Sequence, residues 1–327
     1  MDYVLKSGLA GGIAGCAAKT AIAPLDRVKI LFQAQNPEYQ KYSGRWLGVV
    51  HAARRIIKQQ GPIALFQGHS ATILRIFPYA AVKYMAYDAL HLALMPRARD
   101  ETSMRLFLAG SVSGVLSVFL VYPLDLIRVR LAFDTSTAPQ PGSLRNIMRK
   151  IYREGVGRVP PDGTRPESSL LDRIPMLKFY RGFTATVLGM IPYAGTSFLV
   201  FGRCKALLYR IFLHQDTRGK TLPACAEKKP PYPVTRTFVD LSSGALAGAI
   251  SQTASYPFEI IRRRQQVGGL LHPDRMLSLC ETVRWIYQHH GLRGFYIGLG
   301  IGYMKVVPMT AISFAVWSAM KRRLGIE

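Results

Sequence analysis

The 327-residue chain is short of acids and of cysteine, and each shortage excludes something. Against 43 lysines and arginines stand 19 aspartates and glutamates, a formal charge of +24. So large an excess of one sign points to an anionic partner: nucleic acid, a membrane surface or an anionic substrate. The four cysteines, Cys16, Cys204, Cys225 and Cys280, are widely separated and form no CxxC pair, which excludes a disulfide framework and a zinc site as readings. There is no Walker loop, no GxGxxG opening a helix and no nucleophile elbow, so the chain does not read as an enzyme, and His289-His290 is an isolated pair. The first residues lack the basic leader, apolar core and small-residue cleavage site of a secretory signal, and none is expected. Nucleic-acid binding is disfavoured because many of the cations lie inside apolar stretches instead of forming a solvated stripe. Mean hydropathy is only +0.12, so bulk hydropathy leaves open whether the chain is soluble.

Internal repetition decides the architecture. AIAPLDRVKIL, LVYPLDLIRVRL and ASYPFEIIRRRQ each place an acid two residues and a base five residues after a proline, giving Pro24/Asp26/Lys29, Pro123/Asp125/Arg128 and Pro257/Glu259/Arg262. Downstream, QGPIALFQG, an EG separated from its FYRG, and HGLRGFYIG end at Gly68, Gly182 and Gly298. Seven residues beyond those glycines stand Arg75, Gly189 and Lys305, and ten beyond stand Pro78, Pro192 and Pro308. The repeats are assigned to residues 1–97, 98–213 and 237–327, with an insertion at 156–178 and a linker at 214–236. Both extra segments are rich in Pro, Gly and charge, as surface loops are.

Each repeat reads as two membrane helices joined by an amphipathic connector, an all-α membrane protein of six transmembrane helices in three tandem repeats. The spans fall near residues 4–34, 69–95, 104–134, 183–213, 237–267 and 299–324, long enough to cross a bilayer at 1.5 Å per residue. Glycines four apart, such as Gly8 with Gly12, Gly110 with Gly114 and Gly244 with Gly248, suit close helix packing. An ionised side chain within such a span is costly unless it faces a cavity and finds a partner. Asp26, Asp125 and Glu259 each lie three residues from a base on the same helix face, just after a helix-kinking proline. Three acids and three bases in these places can close a ring of salt bridges.

This thrice-repeated Pro-x-acid-x-x-base pattern, with its downstream aromatic-basic-glycine, resembles the mitochondrial carrier family over essentially the whole chain. The resemblance implies a multi-pass protein of the mitochondrial inner membrane with both termini on one side. It also implies a matrix gate pairing Asp26 with Arg128, Asp125 with Arg262 and Glu259 with Lys29. Gln33 and Gln266, nine residues after their prolines, match the family's bracing glutamines, and Ala132 does not. Further departures are Leu31 for a second base in repeat one, Gln60 and His290 for the acid before the connector glycine, and Ile297 for the base before Gly298. The family's cytosolic gate, aromatic-acid-x-x-base, survives weakly in YDALH, FGRCK and WSAMK, so Asp88 and Lys205 are expected to form its one strong pair.

Arg75, Tyr79 and Lys83 share a helix face at four-residue spacing, and Gly189, Tyr193 and Ser197 and then Lys305, Met309 and Ser313 hold the equivalent places. Lys19, Arg75, Lys83 and Lys305 are therefore expected at one level with no acid to neutralise them, an anion site in which arginine grips phosphate bidentately and lysine acts as a point charge. Lys83 alone has a strong competing reading as a snorkelling residue. Gly189-Met190, bounded by Tyr193, is expected to leave a slot for a flat base. PLDRVKIL, PLDLIRVRLAF, LGMIPYAG and SYPFEIIRRRQQVG resemble the Graves disease carrier and coenzyme A carrier subgroup, and RRRQQV replaces the RRRMMM of ADP/ATP carriers. That resemblance implies coenzyme A, or relatives containing adenosine 3′,5′-bisphosphate, as cargo and not as cofactor, with an ADP/ATP-like exchanger as the alternative. It further implies membrane lipid, cardiolipin in particular, as a partner, a monomeric unit, and no metal.

Overall fold

The computed structural model describes residues 2–44, 47–96, 102–135, 144–154, 175–213, 233–271 and 278–325. Most of the expected insertion (156–174) and linker (214–232) lies outside the described residues. Within them the chain is helical and contains no strand. The helices are α1 (Asp2–Gln33), α2 (Gly48–Gln60), α3 (His69–Leu94), α4 (Ser103–Phe133), α5 (Leu144–Arg153), α6 (Phe183–Leu213), α7 (Pro233–Leu271), α8 (Leu279–His290), α9 (Leu299–Met304) and α10 (Val306–Leu324). Short 3-10 turns at Pro62–Phe66, Pro175–Tyr180 and Leu292–Tyr296 precede α3, α6 and α9.

Two compact units are distinguished: Met1–Phe183 with Ile260–Glu327, and Thr184–Glu259. In the first, α10 and α3 pack on α1, and α4 packs on α3. Among the described residues, four stretches are apolar and long enough to cross a membrane: Lys6–Gln33, Met104–Phe133, Met176–Leu208 and Leu292–Leu324. The other two expected spans are the helices α3 and α7, whose charged residues, among them Arg75, Lys83 and Asp88, and Asp240, Glu259 and Arg262, lower their mean hydropathy.

Two boundaries differ from the sequence expectation. The fifth long helix starts at Pro233, inside the expected linker, with proline at the first helical position where its missing N–H costs nothing. The expected sixth span is interrupted at Lys305 between α9 and α10. Pro308 has no N–H to offer the Met304 carbonyl four residues earlier, although the equivalent Pro78 and Pro192 lie inside continuous helices. Pro24, Pro123 and Pro257 lie inside continuous helices.

The glycine ending each aromatic-basic-glycine motif has a positive φ, +85° at Gly68 and +81° at Gly182. The reason is also steric: a Cβ at Gly68 would stand 2.8 Å from the Arg128 carbonyl, and one at Gly182 would stand 3.1 Å from the Arg262 carbonyl. Glycine thus lets the start of an even helix sit against the backbone of a gate base from the next repeat.

Candidate functional site

Asp26 and Arg128 meet at 3.0 Å, and Asp125 contacts the Arg262 guanidinium. These are two of the pairs that the family resemblance implies, each joining the acid of one repeat to the base of the next. Lys29 is buried on α1, and Glu259 is partly buried on α7 in the other compact unit. Both Asp26 and Asp125 are almost inaccessible, with Asp125 keeping only 4% side-chain exposure. Carboxylates so placed need full compensation, because an unpaired buried charge is far costlier than a paired one.

Each of these acids holds a second cation. Arg75 reaches Asp125 at 2.9 Å, and Lys305 reaches Asp26 at 2.8 Å. The expectation of an uncompensated cation cluster is therefore corrected for two of its four members. Their side chains are long enough to turn from α3 and from the α9–α10 junction onto the gate carboxylates, the nearest counter-ions in a poorly solvated level. Lys19 is partly buried with its Nζ 3.6 Å from Met309 Sδ, and Lys83 is exposed. The Arg75 guanidinium lies 5.8 Å from the centre of the Tyr79 ring.

Gly189 corresponds to Arg75 and Lys305 but has no side chain, and its expected role as an open slot is also corrected. A Cβ there would fall 2.9 Å from the Phe258 Cβ, so α6 and α7 use the glycine for close packing. Met190 is partly buried beside it, and Tyr193 is 48% exposed. The repeat thus sends a second cation toward Asp125 and Asp26, whereas the residue at the matching place beside Phe258-Glu259 is glycine.

Gln33 is buried, and Gln266 is fully so. The Gln266 amide donates to the Tyr122 hydroxyl at 3.2 Å, and its carbonyl oxygen accepts from Arg263 at 3.0 Å. It is thereby linked to the Asp125–Arg262 pair through Tyr122, whose ring lies 5.6 Å from the Arg262 guanidinium carbon. Tyr122 in turn donates to the Arg181 carbonyl at 2.7 Å and stacks on Tyr180.

Behind the gate, the three connectors solve one problem in three ways. In repeat two, Arg130 forks onto Glu154, which also binds Arg181 at 3.3 Å. The EG and FYRG signals had marked these positions without showing that they meet. In repeat one, Leu31 occupies the place of Arg130 and is buried in an apolar cluster with Val28, Ile56 and Val129. The cation has moved one turn back to Arg27, a position held by Leu126 and Ile260 in the other repeats and so marked by no repeated motif. Arg27 is 1% exposed and donates to the carbonyls of Ala132 (3.2 Å), Asp134 (3.1 Å) and Ala64, and to the Gln60 amide oxygen at 2.9 Å. With only neutral acceptors required, glutamine at position 60 suffices where repeat two needs glutamate.

In repeat three, Arg264 lies over the Trp285 ring, 3.2 Å from its centre, and donates to the Gln35 amide oxygen. His290 stands in the acid's place, 3.0 Å from the Gln40 amide nitrogen. Burial, with Arg264 and His289 adding to it, pushes the His290 imidazole below the usual histidine range. The folded protein thus releases this proton more readily than the unfolded chain does, so the contribution of His290 is fully present above about pH 6.5 and is lost as the pH falls through the folded value. Melting temperatures in detergent between pH 8 and 5.5 are expected to decline on acidification, and less steeply in His290→Gln. Equal slopes would show that His290 does not carry this linkage.

Within the unit Thr184–Glu259, the base expected at the second gate has a partner that no motif marked. Lys205 pairs with Asp240 at 3.1 Å, an acid near the start of α7, and Asp88 is exposed on α3.

The mitochondrial carrier protein model matches residues 2–97, 99–158 and 234–327. The chain belongs to the mitochondrial carrier family. It is a transporter and not an enzyme. This carrier is 46% identical over 345 residues to the mitochondrial carrier protein LEU5 of Saccharomyces cerevisiae, covering 99% of this chain and 92% of the relative. It is 37% identical to solute carrier family 25 member 16 of Homo sapiens, covering 98% and 88%. It is 30% identical to the mitochondrial carrier protein CoAc1 of Zea mays, covering 98% and 87%.

Proposed function

We propose that this carrier moves coenzyme A, or relatives built on adenosine 3′,5′-bisphosphate, across the mitochondrial inner membrane by alternating access. The observation that carries the reading is the double use of Arg75 and Lys305. Each is held by a gate carboxylate, at 2.9 and 2.8 Å, and each belongs to the helix face expected to meet cargo. Phosphate competes for both cations, since charge-assisted hydrogen bonds to phosphate match those to carboxylate. A cargo with phosphates in two places withdraws Arg75 from Asp125 and Lys305 from Asp26, leaving each acid with one base and weakening the gate only when cargo is bound. Lys19 and Lys83 add positive potential, and the pantetheine arm needs only an uncharged path. Tyr79 and Tyr193 are the ring surfaces available to adenine, with Met190 as an apolar neighbour, in place of a slot at Gly189. The likeness to the mitochondrial carrier protein CoAc1 supports this choice of cargo. In this reading the gate residues face the matrix, the carrier works as a monomer among cardiolipin-containing lipids, and it needs no cofactor.

The test is a radiolabelled uptake panel in proteoliposomes: coenzyme A, dephospho-coenzyme A, adenosine 3′,5′-bisphosphate, ADP and ATP. Coenzyme A is expected to be taken up best. Arg75→Ala and Lys305→Ala are each expected to raise its apparent KM at least tenfold, about 1.4 kcal/mol. Removal of the 3′-phosphate should then matter less in whichever variant has lost its partner. Good transport of ADP and ATP without coenzyme A would replace this reading with the ADP/ATP-like alternative.

A further inference from the structure

In all three repeats the residue at the base position of the second gate folds back onto the aromatic residue four positions before it. His91 lies 6.0 Å from Tyr87 between ring centres, the Lys205 Nζ lies 5.8 Å from the centre of the Phe201 ring, and the Lys321 Nζ lies 4.5 Å from that of Trp317. A base and an aromatic ring at i and i+4 share one helix face, and the ring's negative face holds a cation weakly. The Lys205 ammonium also pairs with Asp240 at 3.1 Å. Asp240 belongs to no repeated motif: seventeen residues before the motif proline, where it stands before Pro257, repeats one and two have Ser7 and Leu106. Both partners are about one-third exposed, so the pair is solvated enough to break and re-form.

We infer that Asp240 is a positioning residue of the transport cycle, which holds the Lys205 ammonium in the state described here. Closing that gate requires Lys205 to leave Asp240 for a gate acid, for which the motif offers Asp88. Asp240 and the gate thus compete for one ammonium group, and Asp240 sets how readily the second gate closes. The inference rests on the protein being an alternating-access carrier and is independent of which cargo it moves.

The experiment uses the full-length carrier with its four cysteines replaced by serine and a reporter introduced by Ser313→Cys on α10. In oriented proteoliposomes without cargo, the rate of modification by a membrane-impermeant thiol reagent is measured from the side of the second gate. Asp240→Asn is expected to slow labelling about two- to fivefold, the population shift carried by an exposed ion pair. Asp240→Glu should restore the rate. In a Lys205→Gln background Asp240→Asn should have no effect, an outcome that a merely structural role for Asp240 does not produce. An Asp240→Asn rate equal to that of the parent, or slowing that persists without Lys205, would overturn the inference. Failure of coenzyme A uptake would leave it standing.

Discussion

Exchanging the charges of the central gate pair, Asp125→Arg with Arg262→Asp, is expected to leave transport abolished, and adding Arg75→Gln is expected to recover part of it. A two-residue gate would be restored by the swap alone. Asp125, however, is held by two arginines, Arg262 in contact and Arg75 at 2.9 Å. After the swap, Arg75 faces a new arginine at position 125 in a buried site, and like charges there oppose closure as strongly as the restored pair favours it. The single change Asp125→Arg leaves three cations together and should be worst, with uptake lost by two orders of magnitude or more, since breaking a buried pair costs about 3–5 kcal/mol. Uptake rates of the single, double and triple variants, normalised to inserted protein, decide the matter. Full recovery in the double variant would show that Arg75 is not a working partner of Asp125.

Repetition made the acids and bases of the ring legible in the sequence, and the family resemblance implied the order of their pairs. Three prolines each followed by an acid and a base at fixed spacing imply a cyclic arrangement, and Asp26 does meet Arg128 as Asp125 meets Arg262. The spacing from Gly68 and Gly298 likewise marked Arg75 and Lys305 as inward-facing. What spacing does not encode is where a flexible side chain ends. Arg75 and Lys305 span several ångströms from their Cα atoms, and they chose the gate acids over an open cavity. Gly189 was ambiguous for the converse reason: an absent side chain reads equally as space for a ligand or as space for a neighbouring helix, and Phe258 fills it. Asp240 and Arg27 escaped notice because neither recurs, and an argument from repetition is blind to whatever one repeat does alone.

Arg27→Ala should be among the most destabilising single substitutions outside the gate. The guanidinium ties the end of α4, through the Ala132 and Asp134 carbonyls, to the connector of repeat one at Ala64 and Gln60. Truncation leaves these acceptors without their donor, at about 1–3 kcal/mol for each that water fails to reach, so a loss on the order of 3–5 kcal/mol is expected. Arg27→Lys keeps the charge but not the planar fork that serves several acceptors at once, and should recover less than half. Melting of the purified carrier in detergent measures both. An Arg27→Ala protein that melts within about two degrees of the parent would show that Arg27 is not the counterpart of Arg130.

The pairing of Arg75 with Asp125 and of Lys305 with Asp26 has a consequence for an unloaded carrier in a compartment rich in small anions. Inorganic phosphate, or any solute with a single anionic group, can displace at most one of the two carboxylates at a time, and the other corner stays shut. Under the proposed mechanism the two corners act as a coincidence detector: their free-energy contributions add, so the odds of opening multiply only when one molecule engages both. Abundant small ions are turned away by the number of contacts required, with no need for a narrow pore to exclude them by size.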